Sequence, residues 1–187
     1  SHLIDVIATN EKVAKHIHLP MQSGSSRILE LMNRHTTREK FITLVEDMYS
    51  RIPSLTLSTD VIVGFPSETE EEYEETLSMM DIMNCEGTRA EKMDKQIDER
   101  TKTARLERLI NEQLERQKVI RENALPIKRR EAIITSLSRD DKERYLARDE
   151  HNYYYSFSPI KNHNIGDRVF IDANELSGNT FRGVEIE

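Results

Sequence analysis

The sequence has one cysteine in 187 residues. It has no run near the ~18 consecutive apolar residues of a membrane-crossing helix. A lone thiol, Cys85, excludes an internal disulfide, a CxxC redox pair and a thiolate metal cage within these residues. The first residues show no charged, apolar, small-residue leader. The expectation is a cytoplasmic monomer that touches no membrane. Length is also short: a complete (β/α)8 barrel needs ~250 residues, so one medium domain or two small ones fit instead. Positive charge is the last deficit, with 27 basic against 34 acidic side chains and a net charge of −7. That balance excludes a surface that attracts phosphate everywhere. The deficit is uneven: residues 1–120 carry 16 basic and 22 acidic side chains, and residues 121–187 carry 11 and 12.

What is present in the first two thirds alternates strand and helix. Lys15 to Leu19 alternates and stops at Pro20, and the polar loop Gln22-Ser23-Gly24-Ser25 opens a helix from Ser26. Thr36 with Glu39, and Ser67 with Glu70, have capping-box spacing. Behind them Phe41, Leu44, Val45 and Met48, then Tyr73, Leu77, Met80 and Met83, recur at helical intervals. Leu55 to Val63 is β-rich and ends at Gly64-Phe65-Pro66. Strands separated by helices imply a parallel sheet with crossovers. Two such units lack the partners for a full sheet, so an incomplete barrel is expected. From Ile97 to about Asn123 one long helix carries Leu106, Leu109, Ile110 and Leu114 as its apolar stripe.

After Ala124-Leu125-Pro126 the pattern changes to short strands: Glu131–Thr135, Tyr145–Arg148, Tyr153–Phe157, Arg168–Ile171 and Phe181–Ile186. Five strands without a helix read as a small antiparallel barrel. The expected organisation is therefore residues 1–96, a partial (β/α) barrel; 97–125, a connecting helix; and 126–187, an OB-like β-barrel.

Two blocks fall where βα folds bind ligands, at the carboxyl ends of strands. In the first, Gly24 would let a ligand approach the backbone and the following helix N-terminus favours an anion. A Ser-rich N-cap is the competing reading. In the second, Asp60 stands in an apolar strand and needs a partner or a purpose. A flat adenine could lie against the turn at Gly64-Phe65, and a structural aspartate beside a capped turn explains the residues equally well. His16 and His18 share a face but lack a third ligand for a metal, which favours satisfied core or cleft histidines. In the tail, Arg129, Arg130, Arg139, Lys142, Arg144 and Arg148 mix with Tyr145, Tyr153, Tyr154, Tyr155 and Phe157. Arginines beside aromatic rings on a small barrel suit single-stranded or loop RNA.

HIHLPMQSGSSRILELMNR and STDVIVGFPSETEEEYEETL resemble the second half of the radical S-adenosylmethionine barrel of the methylthiotransferases. The QSGS and MNR elements point to the tRNA-modifying branch, and the tail resembles that family's TRAM domain. The resemblance implies a transferase that uses S-adenosylmethionine and two [4Fe-4S] clusters. Its implied reaction adds a 2-methylthio group to N6-isopentenyladenosine beside the anticodon, with the tRNA anticodon stem-loop as partner. Siblings act on threonylcarbamoyl-adenosine or on a ribosomal protein, and a non-catalytic RNA-binding module is the alternative outside enzymes. Carried onto this sequence, Gln22, Ser23, Ser25, Asp60, Gly64 and Phe65 border S-adenosylmethionine. Arg129, Arg130, Arg144, Arg148, Tyr153 and Tyr155 face RNA. Neither catalytic residues nor the sulfur donor are assigned. The family's CxxxCxxC loop has no counterpart, so this segment alone should be inactive. A further barrel strand is expected before Gly87-Thr88, which implies residues missing at the Glu86–Gly87 junction.

Overall fold

The computed structural model describes residues 2–85, 87–92, 97–138 and 141–187. The chain divides into two compact units, residues 1–117 and 118–187. In the first unit α1 (His2–Thr9) precedes β1 (His16–His18), α2 (Ser26–Leu31) and α3 (Arg38–Arg51). Then follow β2 (Thr56–Val63), α4 (Glu70–Met83), β3 (Gly87–Lys92) and α5 (Glu99–Ala124), whose last turns enter the second unit. The three strands form one sheet in the order β1-β2-β3, and both pairings are parallel. This is the βαβ pattern that the alternation of strand and helix implies. Along β2, Leu57, Thr59, Val61 and Val63 are buried while Thr56, Ser58, Asp60 and Ile62 are only partly covered. Helix residues Phe41, Val45, Met48, Tyr73, Leu77, Met80 and Met83 join the buried side in one core.

Local capping differs from the sequence reading by one or two residues. Thr37, not Thr36, accepts the Lys40 N–H at the start of α3. Thr69 and Glu72, not Ser67 and Glu70, make the capping box of α4. Ser67 instead takes a left-handed conformation with φ +67°, where it turns the chain into the helix. The same small hydroxyl residues occur twice within three positions, and spacing alone cannot choose between them. Leu44 faces outward. A parallel strand does follow α4 directly, from Gly87; Glu86, at the junction where the sequence implies missing residues, lies outside the described residues.

The expected stripe on α5 is only partly buried. Leu109 is covered, but Ile110 and Leu114 are 41% and 50% exposed. Lys102, Arg105 and Gln113 are buried in their place, at helical spacing with Leu109. The apolar pattern misplaces the face because these long polar side chains have acids and carbonyls to meet inside.

The second unit closes β4 (Ile127–Leu137), β5 (Tyr145–Arg148), β6 (Tyr154–Ser158), β7 (Arg168–Ser177) and β8 (Thr180–Ile186) into a barrel of order β4-β5-β6-β8-β7. The expectation of an antiparallel barrel needs one correction, since β6 and β8 run parallel. A return connection through β7 lets β8 close the gap beside β6. Bulges in β4 at Ile127/Arg130 and Ile134/Ser136 bend the longest strand around the barrel. Ile134, Ala147, Tyr155, Phe157, Val169, Ile171 and Phe181 fill its interior. Among the described residues no helix is long and apolar enough to cross a membrane.

Candidate functional site

The partly covered face of the β1–β2 sheet is polar, because β-strand alternation puts His16, His18, Thr56, Ser58 and Asp60 on one side. These side chains form a continuous chain of contacts. His16 places Nδ1 3.0 Å from Thr56 Oγ1 and Nε2 3.1 Å from Ser58 Oγ. His18 places Nδ1 3.0 Å from the same Ser58 Oγ and Nε2 3.3 Å from Asp60 Oδ2. Ser58 thus joins the two imidazoles, and Asp60 ends the chain toward the carboxyl end of the sheet. Asp60, the acid in an otherwise apolar strand, lies on the open face with His18 as its partner. Sequence reasoning finds both histidines but misses Ser58 as their link, which the shared β-register of His18 and Ser58 makes possible.

Beyond β1 the chain stays locked to β2. Met21 N–H donates to Thr59 Oγ1, whose hydroxyl donates to the Leu19 carbonyl. Gln22 takes φ +74°, donates its N–H to the Asp60 carbonyl and accepts from Ile62 N–H. Gln22 is therefore held at the strand end beside Asp60. The two serines behave differently. Ser23 and Ser25 are buried, with Ser23 Oγ 3.4 Å from Thr76 Oγ1 and Ser25 Oγ donating to Glu72. Their hydroxyls tie this loop to α4 and away from the sheet face. Gly24 serves the same contact, since a Cβ there would meet the Glu75 carbonyl oxygen at 2.4 Å. The close approach that requires glycine is to α4, where the sequence reading places a ligand.

The turn after β2 is covered by α5. Gly64, at φ +71°, leaves room for the Lys102 side chain, whose Cγ would lie 2.4 Å from an added Cβ. Its N–H donates to Glu68 Oε2. Arg105 also donates to that oxygen at 2.9 Å and to Glu70 Oε2 at 2.8 Å. Burial pushes the Glu68 carboxyl above its ordinary range, against the pull of Gly64 N–H and Arg105. Phe65 is partly covered at this turn. Neither Lys102 nor Arg105 is a sequence candidate. The signal that could find them is a basic pair at helical spacing able to meet the acids of the SETE segment.

In the barrel, the residues expected to face RNA separate into buried and exposed sets. Tyr155 and Tyr153 lie inside, and Tyr155 donates its hydroxyl to Asp149. They cannot offer a ring face to a base, which corrects the expectation; the period of two along β6 exposes Tyr154 instead. Buried Asp149 also accepts from His151 and Tyr153 N–H, with Arg130 Nε 3.6 Å away. Desolvation raises the Asp149 pKa. Arg144 is likewise internal in its contacts: it donates to Ser156 Oγ and carbonyl, Ser158 Oγ and the Gly183 carbonyl. Arg129 lies 4.5 Å over Phe170 and Arg148 5.3 Å over Tyr154. Arg139 lies outside the described residues.

Residues 2–80 match the family model of the Radical SAM superfamily. That part of the chain is similar to a radical SAM domain. The chain is also 39% identical over 167 residues to the tRNA-2-methylthio-N(6)-dimethylallyladenosine synthase of Alkaliphilus oremlandii, an alignment that covers 83% of this chain and 35% of that protein. The like-named protein of Clostridium botulinum strain Hall is 35% identical over 195 residues, covering 98% of this chain and 43% of its own length. That of Fusobacterium nucleatum is 43% identical over 122 residues, 59% of this chain and 28% of its own. The chain spans less than half the length of each of these relatives.

The matched residues end within α4, so β3, α5 and the barrel lie beyond them. The superfamily implies S-adenosylmethionine and iron–sulfur chemistry, and clusters are held by several thiolates. Cys85 is the sole cysteine and is buried, with its carbonyl accepting from Gln113 Nε2 at 2.8 Å. Among the described residues no three His, Cys, Asp or Glu side chains converge as metal ligands. The residues present therefore do not fit a cluster.

Proposed function

We propose that this chain is the S-adenosylmethionine-facing part and the RNA-binding barrel of a tRNA methylthiotransferase. The reaction of the intact protein adds a 2-methylthio group to N6-isopentenyladenosine beside the anticodon. The observation that carries this reading is the similarity over nearly the whole chain, radical SAM domain and barrel alike, to synthases of that name. The intact enzyme uses S-adenosylmethionine and two [4Fe-4S] clusters, works in the cytoplasm and takes the tRNA anticodon stem-loop as its partner. Residues 1–96 are then part of the radical SAM barrel, 97–125 the connecting helix and 126–187 a TRAM domain.

S-adenosylmethionine would lie on the polar face of β1 and β2, and would supply the carbon radical once it receives one electron from a reduced cluster that these residues do not themselves hold. Gln22, Asp60, Gly64 and Phe65 border it at the carboxyl end of the strands. Asp60 and His18 are suited to hydroxyl or ammonium groups of the ligand, as an acceptor and an imidazole already oriented by Ser58. Ser23 and Ser25 act one step behind, fixing the loop that carries Gln22 against α4. The buried Glu68–Arg105 pair holds the Gly64 turn and excludes water beneath it.

The test is the full-length protein reconstituted anaerobically with iron and sulfide. It should cleave S-adenosylmethionine on reduction, and Asp60→Asn should lower the rate at least tenfold with cluster content unchanged. No cleavage by the wild type would refute the enzyme reading. Full activity in Asp60→Asn would remove Asp60 from the site.

A further inference from the structure

The outer wall of the barrel holds a cavity of about 550 Å³ whose lining includes Ser136, Ser138, Ser156, Thr180, Arg144 and Arg182. Asp141 is the one acid among its lining residues. The register explains how these groups meet. Ser136 pairs with Leu146, Leu146 with Ser156 and Ser156 with Arg182, so one row crosses four adjacent strands on the outward side.

Its two arginines differ in how they are used. Arg144 spends four hydrogen bonds on the barrel and keeps one of its five N–H groups. Arg182 is exposed, and its side chain makes no hydrogen bond or ion pair among the described residues. An uncommitted guanidinium beside hydroxyl donors, with a second guanidinium fixed behind them, suits a phosphate oxygen better than any neutral group. Asp141 keeps its charge, with Oδ1 accepting from Glu143 N–H, and the two arginines against this one acid leave the lining with a net positive charge.

The adjacent row along the same strands is Ile133, Arg148, Tyr154 and Thr180. It stands two residues away, about 7 Å. Tyr154 is 44% exposed, with the Arg148 guanidinium over one face of its ring, which puts an exposed aromatic ring beside the cavity. Thr180 belongs to both the cavity and this row.

We infer that this wall is a nucleotide-sized RNA site, with a backbone phosphate in the Arg182 cavity and the neighbouring base stacked on Tyr154. The inference rests on the tRNA reading above and adds where on the barrel the RNA is held. It replaces Tyr153 and Tyr155 with Tyr154 as the stacking ring, and it gives Arg144 a supporting part behind Arg182.

The test is fluorescence anisotropy of the full 187-residue chain with a single-stranded RNA hexamer and with tRNA, at several salt concentrations. Arg182→Ala should weaken binding roughly tenfold and reduce the log–log salt slope by about 0.7, the loss of one phosphate contact. Tyr154→Ala should cost at least about fivefold, and Tyr154→Phe should bind as wild type because the ring face is retained. Lys40→Ala, which removes one positive charge from α3, should change neither. Circular dichroism should show all four variants folded, since the side chains of Arg182 and Lys40 hold no partner among the described residues. If the wild type binds neither RNA, the tRNA reading falls and takes this inference with it. If the wild type binds while Arg182→Ala matches Lys40→Ala, the cavity assignment alone is overturned.

Discussion

Gly24 lies so close to α4 that a Cβ on it would stand 2.4 Å from the carbonyl oxygen of Glu75. Its N–H donates to Thr76 Oγ1, so the contact is tied on both sides. Gly24→Ala must push the loop off the helix, at a cost of about 1–3 kcal/mol. Urea denaturation should show a lower midpoint. An unchanged midpoint would mean that the loop is free to move and that glycine serves something other than this contact.

Arg105 and Glu68 are both buried and joined at 2.9 Å. Removing Arg105 alone leaves an uncompensated carboxylate in a low-dielectric site. Arg105→Ala should cost about 3–5 kcal/mol, and adding Glu68→Gln should recover part of it. Stabilities of the two single variants and the double variant decide this; strictly additive losses would contradict a coupled pair.

Glu72 receives Arg27 at 2.6 Å, and that hydrogen bond lowers its pKa to about 2. A depressed carboxyl pKa stabilises the fold at pH above its unfolded value of 4.5, and the contribution is lost as pH falls from there through about 2. Solvent screening at half-exposed Arg27 keeps the gain well below what the shift alone implies. Melting temperature should therefore fall less between pH 5 and pH 3 in Arg27→Gln than in the wild type. Equal falls would show that the pair contributes nothing to acid stability.

Arg144 holds β6 and β8 together through Ser156, Ser158 and Gly183. Arg144→Ala should destabilise the barrel by about 1.5–3 kcal/mol, the scale of charged hydrogen bonds. Arg182→Ala, with no hydrogen-bond or ion-pair partner to lose among the described residues, should stay within about 0.5 kcal/mol of the wild type. Thermal unfolding of both variants checks the contrast, and equal losses would contradict it.

Legibility from sequence follows the strength of each local signal. The buried alternation of β2 and the Tyr73-to-Met83 face of α4 are plain because one residue type repeats at one period. Thr36 against Thr37, or Ser67 against Thr69, cannot be resolved, because either hydroxyl satisfies the same capping chemistry. The roles of Ser23 and Ser25 are hidden for a different reason: Thr76 and Glu72 lie about fifty residues away in sequence. The buried polar face of α5 likewise depends on Glu68 and Gly64, which no helical periodicity can report. In the barrel, alternation along β6 holds the answer that Tyr154 faces outward, once Phe157 and Tyr155 are assigned to the core.

If the intact protein places a methylthio group on isopentenylated adenosine in tRNA, cells lacking its gene must show the deficit in their tRNA. Mass spectrometry of tRNA nucleosides from such cells measures it. The expected result is loss of 2-methylthio-N6-isopentenyladenosine with accumulation of N6-isopentenyladenosine, and restoration by the intact gene. Unchanged levels of the methylthiolated nucleoside, or loss of the threonylcarbamoyl counterpart in its place, would contradict the proposed function.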